Sequence, residues 1–128
     1  MKKEIIIIDD DPILRLLVQK RIHNIDSSIR CHPCENGKLG LEAMAPFLIS
    51  ANPIGVLLDI NMPVLDGWGV LDHLEKLNLV TIKNIQVYIV SSSIDKSDVL
   101  KANQYALVKK FFHKPLKKED IIEILNGN

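Results

Sequence analysis

The sequence predicts one α/β domain in which a parallel β-sheet is covered by helices on both faces. Apolar, β-branched runs alternate with helical patterns along the whole chain of 128 residues, and this alternation is typical of a parallel sheet. The run Ile5–Ile8 is apolar at every position, as expected of a strand that is buried on both faces. With 47% hydrophobic and 25% charged residues, the chain has enough apolar material to fill a core of this size.

The elements follow one another in a regular order. The predicted strands lie near 4–9, 28–33, 54–59, 85–91 and 108–113, and the predicted helices lie near 12–25, 37–50, 67–77, 95–104 and 117–126. In the first helix, Asp11 is an N-cap candidate and Pro12 stands at the first helical position. Leu14, Leu17, Val18 and Ile22 then share one face at helical spacing. This pattern predicts an amphipathic helix directly after the first strand.

The later helices have their own start and stop signals. Asn36-Gly37 and Asp66-Gly67 are turn signals before the second and third helices. In the third helix we expect Trp68, Val70 and Leu71 to form the inner face, with a protein-binding role for Trp68 as the alternative. Ile121, Ile122, Ile124 and Leu125 predict a buried face for the last helix, which ends at Asn126-Gly127. These signals occupy the chain from end to end, so we expect no second domain.

Polar residues follow four of the apolar runs. Asp9 and Asp10 follow the first run, Asp59 the third, Ser91 the fourth, and Lys114 comes shortly after the fifth. In a parallel sheet these positions meet at one edge, where α/β folds bind ligands. Carboxylates crowd together only around positive charge, so the cluster predicts a divalent cation and an anionic substrate. Taken alone, Ser91 would be a loop residue and Lys114 a surface lysine; their common edge favours the site.

The chain resembles the receiver domain of two-component response regulators over nearly all its length. The motifs that carry the resemblance are Asp9-Asp10 before Asp11-Pro12, the block Asp59-x-x-Met62-Pro63-x-x-Asp66-Gly67, Ser91 after a hydrophobic strand, and Lys114-Pro115. The resemblance implies a flavodoxin-like, doubly wound (βα)5 sandwich with strand order 2-1-3-4-5. Residues 1–128 would then be a single receiver domain without an effector domain.

The resemblance also implies a role for each site residue. Asp59 corresponds to the phosphoacceptor, a carboxylate nucleophile that forms an acyl phosphate. Asp10 corresponds to a direct Mg²⁺ ligand beside Asp59, Asp9 acts through a bound water, and the main-chain carbonyl of Asn61 is a further ligand.

Three more residues would respond to the phosphoryl group. Ser91 would hydrogen-bond one phosphoryl oxygen and Lys114 would pair with another. Phe111 corresponds to the aromatic switch residue whose rotamer follows Ser91. Asn61 and Ser93 would flank the path of an attacking water and affect the phosphoryl lifetime.

The implied function is that of a single-domain response regulator rather than an enzyme acting on a separate substrate. It would take a phosphoryl group from a sensor histidine kinase or from a histidine phosphotransfer protein, catalysing its own phosphotransfer and slow autodephosphorylation. It would then bind a downstream protein through helix four, strand five and helix five, or pass the phosphoryl group on. Leu107-Val108 stands where the family usually has Gly-Ala, which leaves the details of this face open.

Composition limits the partners. Lys and Arg together number 16, as do Asp and Glu, and a net charge of zero argues against general nucleic-acid binding. No apolar run approaches the roughly 20 residues that span a bilayer, and the N-terminus does not resemble a signal peptide. We therefore expect a cytoplasmic protein with neither a nucleic-acid nor a membrane partner. Residues 101–118 hold six lysines and no acid; they form either a solvated basic surface or a docking face for an acidic partner.

Two other classes of function fit part of the pattern. A Mg²⁺-dependent aspartyl-phosphate hydrolase uses the same nucleophile, but such enzymes usually carry a second acid two residues later, where this chain has Asn61. A purely structural interaction module would not need Asp9, Asp10, Asp59, Ser91 and Lys114 together. Steady turnover of a phosphate ester would favour the hydrolase, and failure to bind Mg²⁺ would favour the inert module.

The Cys31-His-Pro-Cys34 segment has the spacing of a thioredoxin-type redox pair. That chemistry needs a helix N-terminus directly after the motif to lower a thiol pKa, whereas this motif lies in a predicted strand. Residues three apart in a strand point to opposite faces, so we expect no disulfide. A zinc site built from these two cysteines with His23 and His32 is weaker still, because the spacing offers only one clear ligand pair.

Overall fold

The computed structural model describes residues 2–48, 52–62, 65–77, 84–92 and 95–127. The described residues form five strands: β1 (Glu4–Ile8), β2 (Arg30–Cys34), β3 (Ile54–Leu58), β4 (Ile85–Ser91) and β5 (Val108–His113). They also form five α-helices: α1 (Pro12–Ile25), α2 (Gly37–Met44), α3 (Gly67–Lys76), α4 (Lys96–Ala102) and α5 (Lys118–Asn126). Within these residues, none of the helices is long and apolar enough to cross a membrane.

The five strands form one parallel sheet in the order β2-β1-β3-β4-β5. This confirms the strand order that the resemblance implied. Ile8 of β1 lies beside Leu58 of β3, and Leu58 lies beside Ile89 of β4. Ser91 at the end of β4 lies beside His113 at the end of β5. The pairing of β4 with β5 shifts register between Val87 and Tyr88, well before the strand ends. Because all five strands are parallel, their carboxyl ends form a single edge of the sheet.

The sheet separates two hydrophobic cores because successive strand residues point to opposite faces. Ile6 and Ile8 of β1 pack in the first core, together with residues of α2, α3 and α4 such as Met44, Leu71 and Ala102. The other core lies under α1 and α5 and contains Ile5, Ile7, Val18, Ile22, Tyr88, Ile121, Ile124 and Leu125. The doubly wound architecture expected from the sequence is therefore present, with all of β1 buried.

The helix starts lie where the sequence signals place them. The Asp11 carboxylate accepts hydrogen bonds from the backbone N–H groups of Ile13 and Leu14. The side chains of Asn36 and Asp66 cap α2 and α3 in the same way. Each cap satisfies N–H groups that the first turn of a helix leaves without a partner, so the chain enters each of these three helices at a fixed angle.

The structure differs from the sequence prediction in four places, and the first is Ile122 of α5, which is 37% exposed rather than buried with Ile121, Ile124 and Leu125. The helix α2 ends at Met44 rather than near 50 and is followed by a turn of 3₁₀ helix, because Pro46 has no N–H to donate and its ring crowds the preceding turn. Residues 49 and 50 lie outside the described residues. The strand β2 begins at Arg30 rather than near 28, since the Asp26 side chain holds Ser28 in a turn. Leu17 is 49% exposed rather than buried with Val18.

Candidate functional site

The carboxyl edge of the sheet brings together the acids that the sequence singled out. Asp9 and Asp10 directly follow β1, and Asp59 directly follows β3. Each of the three offers a carboxylate oxygen, and these oxygens lie within 4.8 Å of one another. Asp9 and Asp59 are buried while Asp10 is exposed, so the cluster is open to solvent on the side of Asp10.

Asp59 is held by the backbone around it. Its N–H donates to the carbonyl of Ile8 at 3.0 Å, and the N–H of Asn61 donates to its Oδ1 at 3.1 Å. Gly67 at the start of α3 packs against the same segment, where a Cβ would lie 2.7 Å from the Asp59 carbonyl oxygen. Burial raises the pKa of Asp59, and the nearby charge of Asp9 adds to the rise, although the Asn61 N–H and Lys114 act in the opposite direction. Asp59 is therefore a desolvated carboxylate that is fixed in position.

Lys114 supplies the positive charge of the site. Its Nζ lies 2.8 Å from Asp9 Oδ2 and 3.3 Å from Asp59 Oδ2. The backbone N–H of Lys114 donates to the carbonyl of Ser91 at 2.8 Å, which ties the end of β5 to the end of β4. Burial lowers the pKa of Lys114, but the two carboxylates outweigh this effect and the net pKa is raised. The ammonium therefore stays charged and neutralises part of the acidic cluster.

The acidic cluster also fits a divalent cation. Mg²⁺ takes only oxygen ligands, usually one or two carboxylates together with water, and two oxygens on one ion stand about 3 to 4 Å apart. The carboxylate oxygens of Asp9, Asp10 and Asp59 lie within 4.8 Å of one another, so small side-chain rotations or one bridging water would bring them to this spacing. The donor set is therefore one that could hold a metal ion, whereas the third acid of the run, Asp11, caps α1 as expected.

Ser91 and Phe111 lie next to this edge. Ser91 is completely buried at the end of β4, and Phe111 lies beside Ile89 on the neighbouring strand. The Phe111 ring is partly buried against the first core, on the side of α2, α3 and α4. The structure thus brings the two candidate switch residues to adjacent strands. Ser93, the other expected neighbour of the site, lies outside the described residues, as does Pro63 of the motif block.

Arg15 is a site neighbour that sequence reasoning missed. It lies one turn into α1, and its Nη1 donates to the carbonyl oxygen of Asp9 at 2.7 Å. This bond satisfies a carbonyl that has just left the ladder of the sheet and holds the loop that carries the three consecutive acids. The signal in the sequence was an arginine six residues after Asp9. From that position in α1 its long side chain can extend back past the first turn of the helix to the Asp9 carbonyl.

The comparisons with known proteins agree with this geometry. The sequence matches the response regulator receiver domain over residues 5–126. The chain belongs to the response regulator receiver domain family. This is a family of phosphoacceptor signalling domains in two-component systems, which work with histidine kinases and downstream effectors. The resemblance that the motifs carried is therefore confirmed.

Three proteins similar to this receiver domain are between 13% and 29% identical to it. The nitrate/nitrite response regulator protein NarL of Escherichia coli strain K12 is 29% identical over 122 residues, which is 95% of this chain and 52% of that protein. The chain thus spans about half the length of the curated relatives it matches. A two-component response regulator from Cytophaga hutchinsonii superposes with a TM-score of 0.85 at 24% identity, covering 98% of this chain and 96% of the other. The chemotaxis protein CheY4 of Vibrio cholerae gives 0.78 at 13% identity, covering 96% and 95%. At these identities the solved structures support the fold alone.

Neither cysteine of this receiver domain belongs to the acidic cluster, although the carbonyl of Cys34 at the end of β2 accepts a hydrogen bond from the Asp9 N–H at 3.0 Å. Cys31 and Cys34 are free thiols on β2, and Cys34 is buried. Burial raises the pKa of both thiols, that of Cys31 to about 11, which is opposite to the shift that redox chemistry needs. His32 contacts Glu4 Oε1 through Nε2 at 2.7 Å. Among the described residues, the one group of acids, cysteines and histidines with the spacing of a metal site is the acidic cluster.

Proposed function

We propose that this receiver domain accepts a phosphoryl group on Asp59 from the phosphohistidine of a sensor kinase or of a histidine phosphotransfer protein. The observation that carries the proposal is the surroundings of Asp59. It is a buried carboxylate at a strand end, with an ammonium 3.3 Å away and two further carboxylates beside it. This combination suits a site that receives an anionic group together with a cation.

The chemistry is a direct displacement. A carboxylate oxygen of Asp59 attacks phosphorus, the new O–P bond forms as the P–N bond to the donor histidine breaks, and the imidazole leaves with the electron pair of that bond. The product is an acyl phosphate on Asp59, and no oxidant or further reactant is needed. Because such transfers depend on positioning and on neutralising charge at the equatorial oxygens, the hydrogen bond from Asn61 to Asp59 matters by fixing the nucleophile.

A bound Mg²⁺ would supply neutralisation of the negative charge on the phosphoryl oxygens. The residues that would hold it are Asp10, Asp59 and the main-chain carbonyl of Asn61, with Asp9 acting through water. Lys114 is now shared between Asp9 and Asp59; it would leave Asp9 and pair with a phosphoryl oxygen. The hydroxyl of Ser91 would donate to a second oxygen. Each of these groups is at the carboxyl edge or one short side-chain movement from it.

Signal output would follow from the new charge. Phosphorylation adds about one negative charge to the site, and Ser91 and Lys114 gain an anionic partner. Movement of Ser91 would open space for Phe111, which lies on the neighbouring strand, and so change the surface of α4, β5 and α5 that a downstream protein reads. Alternatively the chain passes the phosphoryl group on. We propose that the protein receives its phosphoryl group in the cytoplasm and that it hydrolyses this group slowly.

The test is the intact mass of the protein after incubation with Mg²⁺ and acetyl phosphate. We expect one phosphoryl adduct on the native chain and none on Asp59→Asn. Asp26→Asn is the matched control, because Asp26 pairs with Lys3 at 2.9 Å at the opposite edge of the sheet and should leave the adduct unchanged. An adduct of normal yield on Asp59→Asn would refute the assignment. Continuous release of phosphate from small esters, without an accumulating adduct, would favour a hydrolase.

A further inference from the structure

Helix α4 is the most weakly anchored of the five helices in the described part of the chain. It has only seven residues, and Ala102 is its one buried side chain. Leu100 projects from it with 66% of its surface exposed. A helix this short is not stable by itself, so contacts with the rest of the protein must hold it in place.

Those contacts lie at the C-terminal end of α4 and reach across to α3. The rings of Trp68 on α3 and Tyr105, three residues after α4, stack with centroids 6.1 Å apart and an angle of 25° between their planes. The Lys101 ammonium lies 4.5 Å from the centre of the Trp68 ring. The Tyr105 hydroxyl donates to Asp72 Oδ1 at 2.7 Å. We call these four side chains the α3–α4 clamp.

The clamp joins interactions that support one another. The Tyr105 ring packs against the first core through the same side chain that hydrogen-bonds Asp72. The backbone N–H of Tyr105 donates to the carbonyl of Ala102, so the residue that binds α3 is also bound to the last turn of α4. The N-terminal end of α4 is different: in the described residues its cap is local, because the Asp95 carboxylate accepts hydrogen bonds from the N–H and the hydroxyl of Ser97.

We propose that the α3–α4 clamp holds α4 in its resting position and sets how easily that helix is released when Asp59 is phosphorylated. The second half of this proposal rests on the proposed function. Asp95, the N-cap of α4, lies four residues after Ser91 in the chain, so a movement of Ser91 would act on the end of the helix that lies away from the clamp. The clamp is then the pivot at the other end, and weakening it favours the released state.

Hydrogen exchange measured by mass spectrometry on the unmodified protein tests the first half. The segment to follow is 96–105, which contains α4 and the clamp residue Tyr105. Tyr105→Phe removes the hydroxyl alone, and loss of one such hydrogen bond should speed exchange in this segment about fivefold. Tyr105→Leu also removes the ring and should increase exchange further. Acrylamide quenching of Trp68, the one tryptophan of the chain, should rise in the same order.

Two comparisons separate the clamp from general destabilisation. Tyr88→Phe removes the same atom from the other tyrosine, which lies in the core on the opposite face of the sheet, and should leave segment 96–105 unchanged. Adding Asp72→Ala to Tyr105→Phe should cause little further change, because the two side chains share one hydrogen bond. Unchanged exchange in both Tyr105 variants, or equal acceleration in every segment of the protein, would overturn the proposal.

The second half is tested on the same variants after acetyl phosphate and Mg²⁺, with the phosphoryl adduct counted by intact mass. The rise in exchange of segment 96–105 on phosphorylation should be larger in the native chain than in Tyr105→Phe, where part of the restraint is already gone. An equal rise in both proteins would overturn the coupling. If no adduct forms, the proposed function fails, while the exchange of the unmodified protein still tests the clamp.

Discussion

Replacement of Lys114 by methionine is the most informative single change at the site. Methionine keeps much of the side-chain length and removes the ammonium that lies 2.8 Å from Asp9 and 3.3 Å from Asp59. We expect two opposite effects. The folded protein should lose stability, because two buried carboxylates lose their counter-charge. Its affinity for Mg²⁺ should rise, because the ion no longer competes with the ammonium.

The size of the first effect depends on distance and burial. At separations of about 3 Å and an effective dielectric constant of about 20, each contact has a gross attraction of about 5 kcal/mol. Much of this is offset by the cost of desolvating the charges, and breaking a buried ion pair usually costs about 3–5 kcal/mol. The side chains are 15%, 4% and 7% exposed for Lys114, Asp9 and Asp59. Since the site has an open side, we expect a loss near about 3 kcal/mol in the free energy of unfolding.

The second effect concerns Mg²⁺. In the native chain the Lys114 ammonium must separate from Asp9 before that carboxylate can interact with Mg²⁺. The free-energy cost of this separation is absent from Lys114→Met. We expect at least about tenfold tighter binding, which at a saturating concentration of Mg²⁺ means about 1.4 kcal/mol of additional stabilisation. The variant should therefore recover part of its lost stability when Mg²⁺ is added, and more than the native chain gains.

Urea unfolding with and without Mg²⁺ measures both effects. The control is Lys110→Met, the same substitution at a lysine that pairs with Glu123 at 2.9 Å while both side chains are about half exposed. A surface pair of this kind contributes less than about 1 kcal/mol, and its loss should not alter Mg²⁺ binding. If Lys114→Met were as stable as Lys110→Met, or bound Mg²⁺ no more tightly than the native chain, the electrostatic reasoning would be wrong.

Two further predictions concern packing and pH. In Gly67→Ala a Cβ would lie 2.6 Å from Ile60 Cα and 2.7 Å from the Asp59 carbonyl oxygen, so the backbone must shift. Urea unfolding should show a loss of about 1–3 kcal/mol in the free energy of unfolding. The yield of phosphoryl adduct should also fall, because the shifted backbone carries Asp59. Burial, aided by the charge of Lys109, lowers the pKa of Lys2 from 10.5 to about 8. Between pH 8 and 10.5 the unfolded state binds more protons at Lys2 than the folded state does. The free energy of unfolding of the native chain should therefore rise with pH relative to that of Lys2→Met, by up to about 1.4 kcal/mol per pH unit. An equal pH dependence of both proteins would contradict the lowered pKa.

The sequence predicted the fold well because its strongest signals are local. The continuous apolar runs located β1, β3 and β4, while the N-cap candidate Asp11 and the turn signals Asn36-Gly37 and Asp66-Gly67 located the starts of the first three helices. The boundaries that were wrong depend on details that a pattern does not contain. The turn at Asp26 is formed by a side-chain hydrogen bond to Ser28, and whether a helix ends or continues as 3₁₀ at Pro46 depends on how the neighbouring residues pack.

The sequence predicted which side chains lie together at the carboxyl edge, but not how they pair. Motifs placed Asp9, Asp59 and Lys114 at one edge, because parallel strands bring their carboxyl ends together. They did not show that the ammonium lies closer to Asp9 than to Asp59. That choice depends on side-chain rotamers and on small differences in desolvation. Tyr105 escaped notice for a similar reason, since its partners on α3 are more than 30 residues away in the chain.

The order of stability within the molecule suits the function that we propose. The strands β1 and β3 are buried at every position, so Asp9 and Asp59 extend from the most rigid part of the protein. The helix α4 buries a single side chain and comes after the strand that carries Ser91. A rigid platform keeps the nucleophile aligned with its incoming group, whereas the element that reports the event must change shape at low cost in free energy. The same sheet edge therefore connects the most buried strands to the helix with the fewest buried side chains. In our proposal the α3–α4 clamp sets the free energy needed to release that helix.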